Sequence, residues 1–266
     1  MRAAAACLIA LSLGLAGCSG DSPNQPTPNP APIPTPPPPA PPPPEPPGGP
    51  TTPPAVPRVG KVRYLAFGDS LTEGVVSAPH TQTLVTTPHA YPARLAEVLR
   101  ARYRDQPEIA VFNEGRAGEF ATDGKVRLSD AIKAHTPEVL LLMEGANDIN
   151  FLGRRGITRV VVALEDMIKD ATRRGQVVFV GTLPRQRPGG RSAGGVDFVE
   201  ELNGQIRKTA LEEGATVVDV YNQLDLSFVG EDGLHLTEAG YVRLAEIFAA
   251  AIRQAFEIAP PAARRD

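Results

Sequence analysis

Four short stretches carry residue types suited to nucleophilic chemistry. Phe67-Gly68-Asp69-Ser70-Leu71 sets a serine on a turn that Gly68 permits. Asp232-Gly233-Leu234-His235 places a carboxylate three residues before an imidazole. Folded back, Asp232 can accept the Nδ1–H and leave Nε2 free to take a proton from a hydroxyl. Asn147, within Gly145-Ala146-Asn147-Asp148, offers a neutral donor to an oxygen that becomes negative during attack. Gly118, closing Asn113-Glu114-Gly115-Arg116-Ala117-Gly118, can bring a bare backbone N–H close to a ligand. Each stretch also has an ordinary alternative. Gly-Asp-Ser is a common turn, glycine often follows a strand, Asn and Asp favour turns, and histidine is often only a polar surface group.

The surrounding pattern decides where these residues sit. Residues 62–67 read as a buried strand, and Phe67-Gly68-Asp69-Ser70 leaves its end. A helix over 91–103 follows, with Leu95, Val98, Leu99 and Arg102 on one stripe. Further strands are predicted at 109–113, 138–143, 177–180 and 216–220. Helices are predicted near 122–134, through Ile157 to Ala171 and over 197–213. Thr237 is the expected N-cap of a last helix that turns Tyr241, Leu244, Ile247, Phe248, Ile252 and Phe256 inward. Strand and helix thus alternate five times, and the strands are continuous apolar runs. That predicts a single α/β domain, a three-layer α/β/α sandwich around a five-stranded parallel sheet. Ligands in such folds bind beyond the carboxyl ends of the strands. Three of the four stretches follow a predicted strand, and the fourth precedes the last helix.

Together, in this order and spacing, the four stretches resemble the GDSL family of SGNH hydrolases. The family's Ser, Gly, Asn and His match Ser70, Gly118, Asn147 and His235. The resemblance runs from about Val62 to Phe256, and His235-Leu236-Thr237-Glu238-Ala239-Gly240-Tyr241 is similar to the start of the family's final helix. It implies a flavodoxin-like strand order and a serine ester hydrolase that needs neither cofactor nor metal. Ser70, Asp232 and His235 are then the catalytic residues. The Ser70 and Gly118 N–H groups and the Asn147 amide form the oxyanion hole. The implied substrates are short or medium acyl esters or lysophospholipids. Alternatives are an O-acetylesterase of envelope polysaccharide and an envelope binding module that has lost activity. The Gly-x-Ser-x-Gly elbow of the larger α/β-hydrolases is absent around Ser70.

The N-terminal part is of another kind. Arg2 and the apolar stretch 3–15 have the length of a signal h-region, too short to span a bilayer. They end in Leu15-Ala16-Gly17-Cys18, which resembles the bacterial lipobox. Residues 1–17 are therefore expected to be a lipoprotein signal peptide, and Cys18 the lipidated residue and membrane anchor. Ser19, not Asp, follows Cys18; in a Gram-negative cell that pattern directs a lipoprotein to the outer membrane. Twenty of the 29 prolines lie between Ser19 and Pro57. Residues 18–57 then form a polyproline tether reaching on the order of 120 Å, at about 3.1 Å per residue, with the hydrolase domain at 58–266.

Composition excludes several other classes. The net charge is −3 with acids and bases interspersed, so no basic block points to nucleic acid. Both cysteines, Cys7 and Cys18, precede the domain, which therefore has no disulfide. His80, His89 and His135 are scattered and suggest no metal site. Two irregular stretches, 75–89 and 183–195, are expected to border the site. The second carries Arg185, Arg187 and Arg191, which would favour substrates with anionic or strongly polar parts; the alternative is a solvated loop.

Overall fold

The computed structural model describes residues 56–78, 80 and 84–259. The signal peptide, Cys18 and the tether as far as residue 55 lie outside the described residues.

A short strand β1 (Arg58–Val59) precedes β2 (Arg63–Gly68). Tyr64, Leu65, Ala66 and Phe67 of β2 are all fully buried. Burial on both faces is why this strand is apolar throughout instead of alternating. The single-turn helix α1 (Ser70–Glu73) leads to an antiparallel pair, β3 (Val75–Ser77) and β4 (Leu84–Thr86). Next come α2 (Tyr91–Arg102), β5 (Ala110–Gly115), α3 (Ala121–His135) and β6 (Val139–Met143). They are followed by α4 (Ala146–Leu152), α5 (Arg154–Arg173) and β7 (Val177–Gly181). The remaining elements are α6 (Val199–Glu212), β8 (Thr216–Val218), α7 (Val220–Gln223), α8 (Glu238–Phe256) and β9 (Glu257–Ile258).

Five strands form one parallel sheet in the order β5-β2-β6-β7-β8. Numbered by their succession along the chain, these strands run 2-1-3-4-5, the flavodoxin-like order. The helices pack as two groups: α2 lies against α8, and α5 lies between α3 and α6. Phe248 of α8 stacks on Tyr91 of α2 with ring centroids 5.1 Å apart. Each aliphatic or aromatic side chain sealed in these layers contributes about 1.5–3 kcal/mol.

The chain crosses from one side of β2 to the other between β5 and β6, so the sheet's switch point lies at the carboxyl end of β2. Ser70 leaves β2 there. The loop after β5 carries Gly118, and the turn after β6 carries Asn147. Gly115 makes this convergence tight. A Cβ on it would lie 1.9 Å from the Glu73 amide nitrogen, so only glycine lets β5 touch α1.

Several local expectations need correction. Residues 75–89 are not wholly irregular, because β3 and β4 pair there. The strand expected over 216–220 stops at Val218, and α7 begins directly after Asp219. Helix α4 and the β1–β9 pair were not anticipated from the sequence pattern; each is too short to show a period. On α2, Leu95 and Leu99 are buried, whereas Val98 is at the surface and Arg102 pairs outward with Glu257. Thr237 caps α8 by accepting the Gly240 N–H at 3.1 Å.

Candidate active site

Ser70 is the first residue of α1, and Asp69 caps that helix by accepting the Leu71 N–H at 2.9 Å. The strand-to-helix turn aims the Ser70 hydroxyl across the sheet edge. His235 meets it there, with Nε2 2.9 Å from Oγ. On the other side of the ring, Nδ1 lies 2.7 Å from Asp232 Oδ2. With Nδ1 protonated toward that carboxylate, Nε2 accepts the hydroxyl proton.

The turn that carries Asp232 and His235 is held from several directions. Asp232 Oδ1 accepts the His235 N–H at 3.1 Å, which closes the turn on itself. The Asp232 N–H donates to Ser77 Oγ of β3 at 3.2 Å, and its carbonyl accepts the Ser192 N–H at 2.7 Å. Burial opposes ionisation of Asp232. The hydrogen bond and charge of His235, with a hydrogen bond from the Ser192 hydroxyl, outweigh it and hold the carboxyl below its ordinary range. Asp232 is thus a carboxylate across the working pH range, able to stabilise an imidazolium.

The candidate donors line the same cleft. Gly118 has φ of 79°, and a Cβ built on it would meet nothing within 4 Å, so the backbone stands open to the cleft. Two ties fasten its loop to α1: Asn113 Nδ2 donates to the Glu73 carbonyl at 3.2 Å, and the Ala117 N–H donates to the Glu73 carboxylate. Asn147 sits in the first turn of α4 and donates one N–H to the Glu119 carbonyl at 2.9 Å. Its second N–H remains for a ligand.

Ser70, Gly118, Asn147 and His235 line one cleft of about 340 Å³, together with Val75, Leu84, Phe151 and Leu234. The wall is mostly apolar. Of the three loop arginines, only Arg191 lines this cleft. Arg187 spends its guanidinium on the Leu226 and Val229 carbonyls, both at 2.8 Å. Arg185 lies over the Tyr221 ring at 4.1 Å and reaches Asn222. The expectation that all three border the site is therefore corrected to one. Among the described residues, no group of His, Cys, Asp and Glu side chains is placed to hold a metal ion.

Comparison with known proteins agrees with this architecture. Residues 66–243 match the profile of the GDSL-like lipase/acylhydrolase family. The chain belongs to that family, a class of serine ester hydrolases. Among solved structures it is similar to a lipase/acylhydrolase from Enterococcus faecalis, at 22% identity over 73% of this chain and 97% of the other, with a TM-score of 0.63. It is also similar to Est24, a carbohydrate acetylesterase from Sinorhizobium meliloti, at 21% identity over 74% and 100%, TM-score 0.63. A third is the M. smegmatis aryl esterase, at 21% identity over 73% and 99%, TM-score 0.63. Such identities establish the shared fold. A search of curated proteins gave no match.

Several residues of the site escaped the sequence reading. Glu73, Ser77 and Ser192 brace its loops, and three buried acids, Asp69, Glu144 and Asp148, lie beneath it. Glu144 carries a usable signal, since it is a lone acid directly after the apolar strand Val139–Met143. Glu73, Ser77, Ser192 and Asp148 have none, because their partners lie far away along the chain.

Burial pushes Asp69 up to about 6, against smaller opposing effects of the Leu71 N–H and His235. An acid whose value is higher folded than unfolded costs stability as it ionises, so the cost grows from its ordinary 3.8 to about 6 and then levels off. A shift of that size corresponds to about 3 kcal/mol at most. Asp69→Asn keeps the cap oxygen and removes the charge. It is expected to raise the urea unfolding midpoint at pH 7 and leave it nearly unchanged at pH 4; equal shifts at the two pH values would contradict this.

Proposed function

We propose that this hydrolase cleaves carboxylic esters through an acyl-enzyme on Ser70. His235 Nε2 takes the Ser70 proton as Oγ bonds to the carbonyl carbon. The carbonyl oxygen gathers negative charge and is held by the Ser70 and Gly118 N–H groups and the free Asn147 N–H. As the tetrahedral centre collapses, the bond to the leaving alcohol breaks and His235 returns the proton to that oxygen. Water then repeats the sequence against the acyl-enzyme, releasing the acid and restoring Ser70. Asp232 keeps the ring in the right tautomer and stabilises its charged form.

The observation that carries this reading is the continuous contact from Asp232 through His235 to Ser70, at 2.7 and 2.9 Å. A serine hydroxyl is a poor nucleophile near neutral pH without such a base. The apolar lining from Val75, Leu84, Phe151 and Leu234 supports acyl esters of short to medium length, lysophospholipids among them, over small acetylated sugars.

The test is kinetic. On nitrophenyl esters of graded chain length, Ser70→Ala should lower kcat on the order of 10⁴-fold or more. Asn147→Ala should lower kcat by about 10²–10³-fold with a smaller change in KM. Full activity in Ser70→Ala would overturn the assignment. Release of acetate from acetylated glycan, with little turnover of longer acyl chains, would move the substrate to polysaccharide.

The same proposal places the enzyme on the cell envelope, held by lipid on Cys18. The support is the Leu15-Ala16-Gly17-Cys18 stretch after an apolar run and the proline tract behind it. Several acyl chains on one residue give stable anchoring, each buried methylene adding about 0.8 kcal/mol. Expressed with its own leader, the wild type should sediment with membranes and Cys18→Ser should not; equal sedimentation of the two would refute the anchor.

A further inference from the structure

Glu144 ends the strand that delivers Asn147 and is 1% exposed. Neither of its carboxyl oxygens meets a hydrogen-bond donor among the described residues. An ionised carboxylate is strongly disfavoured in such a place, whereas a neutral acid needs only an acceptor for its proton. Glu119 supplies one. Its carboxyl group meets that of Glu144. Both lie beside Gly124, where a Cβ would stand 3.0 Å from Glu144 Oε1 and 3.2 Å from Glu119 Oε2. Glu119 is held in turn by the fork of Arg127, with contacts of 2.9 and 2.6 Å.

The charges that act on Glu144 form a pattern. They include Asp69 at the cap of α1, Glu119 in the turn before α3, and Asp148 on α4. Arg127 of α3 is taken up by Glu119 and Glu114. Asp69 precedes Ser70, Glu119 follows Gly118, and Asp148 follows Asn147. Glu144 is therefore under the charge of the sequence neighbour of each group assigned above to the oxyanion. Glu119 also accepts the Asn147 amide on its carbonyl at 2.9 Å, which joins the Gly118 turn to Asn147.

We propose that Glu144 is a positioning residue of the oxyanion site: as a neutral acid it donates its proton to Glu119 and holds the Gly118–Glu119 turn against Asn147. It rests on the reading of Ser70, Gly118 and Asn147 given above. Burial, then the negative charges of Asp69 and Glu119, hold the Glu144 carboxyl well above the ordinary range, in keeping with that neutral form. Removing the proton at alkaline pH sets two negative groups against each other under the turn and releases it.

The experiment compares kcat and KM of the full enzyme, Glu144→Gln, Glu144→Ala and Ser70→Ala on one nitrophenyl ester between pH 6 and 10. The amide of Glu144→Gln keeps a donor toward Glu119 and cannot ionise. Wild-type kcat should fall at alkaline pH; the kcat of Glu144→Gln should stay within about threefold of wild type at pH 7 and show no such fall. Glu144→Ala should lose about 10- to 100-fold in kcat with KM nearly unchanged, as for a misplaced oxyanion donor. The proposal is overturned if Glu144→Gln keeps the wild-type alkaline limb or falls as far as Glu144→Ala. It is overturned equally if Glu144→Ala lowers only the melting temperature. Should Glu144→Ala fail to fold, the pH profile of Glu144→Gln decides alone. An inactive Ser70→Ala beside an unaltered Glu144→Gln limb defeats this proposal and spares the nucleophile; an active Ser70→Ala defeats both.

Discussion

The contact between Ser70 Oγ and His235 Nε2 joins positions 165 residues apart, and the rest of the molecule serves to hold it at 2.9 Å. No local structure can do this. Ser70 is fixed by β2, which is buried on both faces, and by the Asp69 cap at the start of α1. His235 is fixed by a turn that the β3 strand braces from one side and the loop through Ser192 from the other. A parallel sheet is well suited to the task. All its strands end at one edge, so residues from distant segments arrive at the same place with their backbones already rigid.

Three acids are buried in the interior directly under that edge. Asp69, Glu144 and Asp148 are each essentially buried, and burial raises all three. A fold selected for stability alone would have apolar residues there. Their neighbours in sequence are Ser70 and Asn147, and Glu119, which Glu144 meets, follows Gly118. Hydrogen-bonded acids are directional, whereas apolar packing is not. A turn tied by such bonds is held in orientation as well as in place, which an oxyanion donor requires and a core side chain does not.

Much of this was legible in the sequence. The apolar runs of the central strands β2, β6 and β7, which are buried on both faces, and the amphipathic stripe from Ile157 to Ala171 made the sheet and its helices legible, because burial and helical period both leave clear patterns; the edge strands β5 and β8 are only partly buried. The positions of Ser70, Gly118, Asn147 and His235 stood out because each lies at an element boundary. What stayed hidden depends on contacts with no sequence period. Glu73 tying α1 to the Gly118 loop, Ser77 bracing Asp232, and Arg187 turning away from the cleft toward the Leu226 and Val229 carbonyls are of this kind. Short elements such as β3, β4 and α4 are invisible for the same reason.

All of this bears on whether Ser70 is an activated nucleophile. Treatment of the folded enzyme with a fluorophosphonate, followed by peptide mass mapping, decides it. An activated serine gives one phosphonyl adduct, on Ser70, and none after denaturation. Failure to label while a control serine hydrolase reacts, or an adduct on another residue, would contradict it.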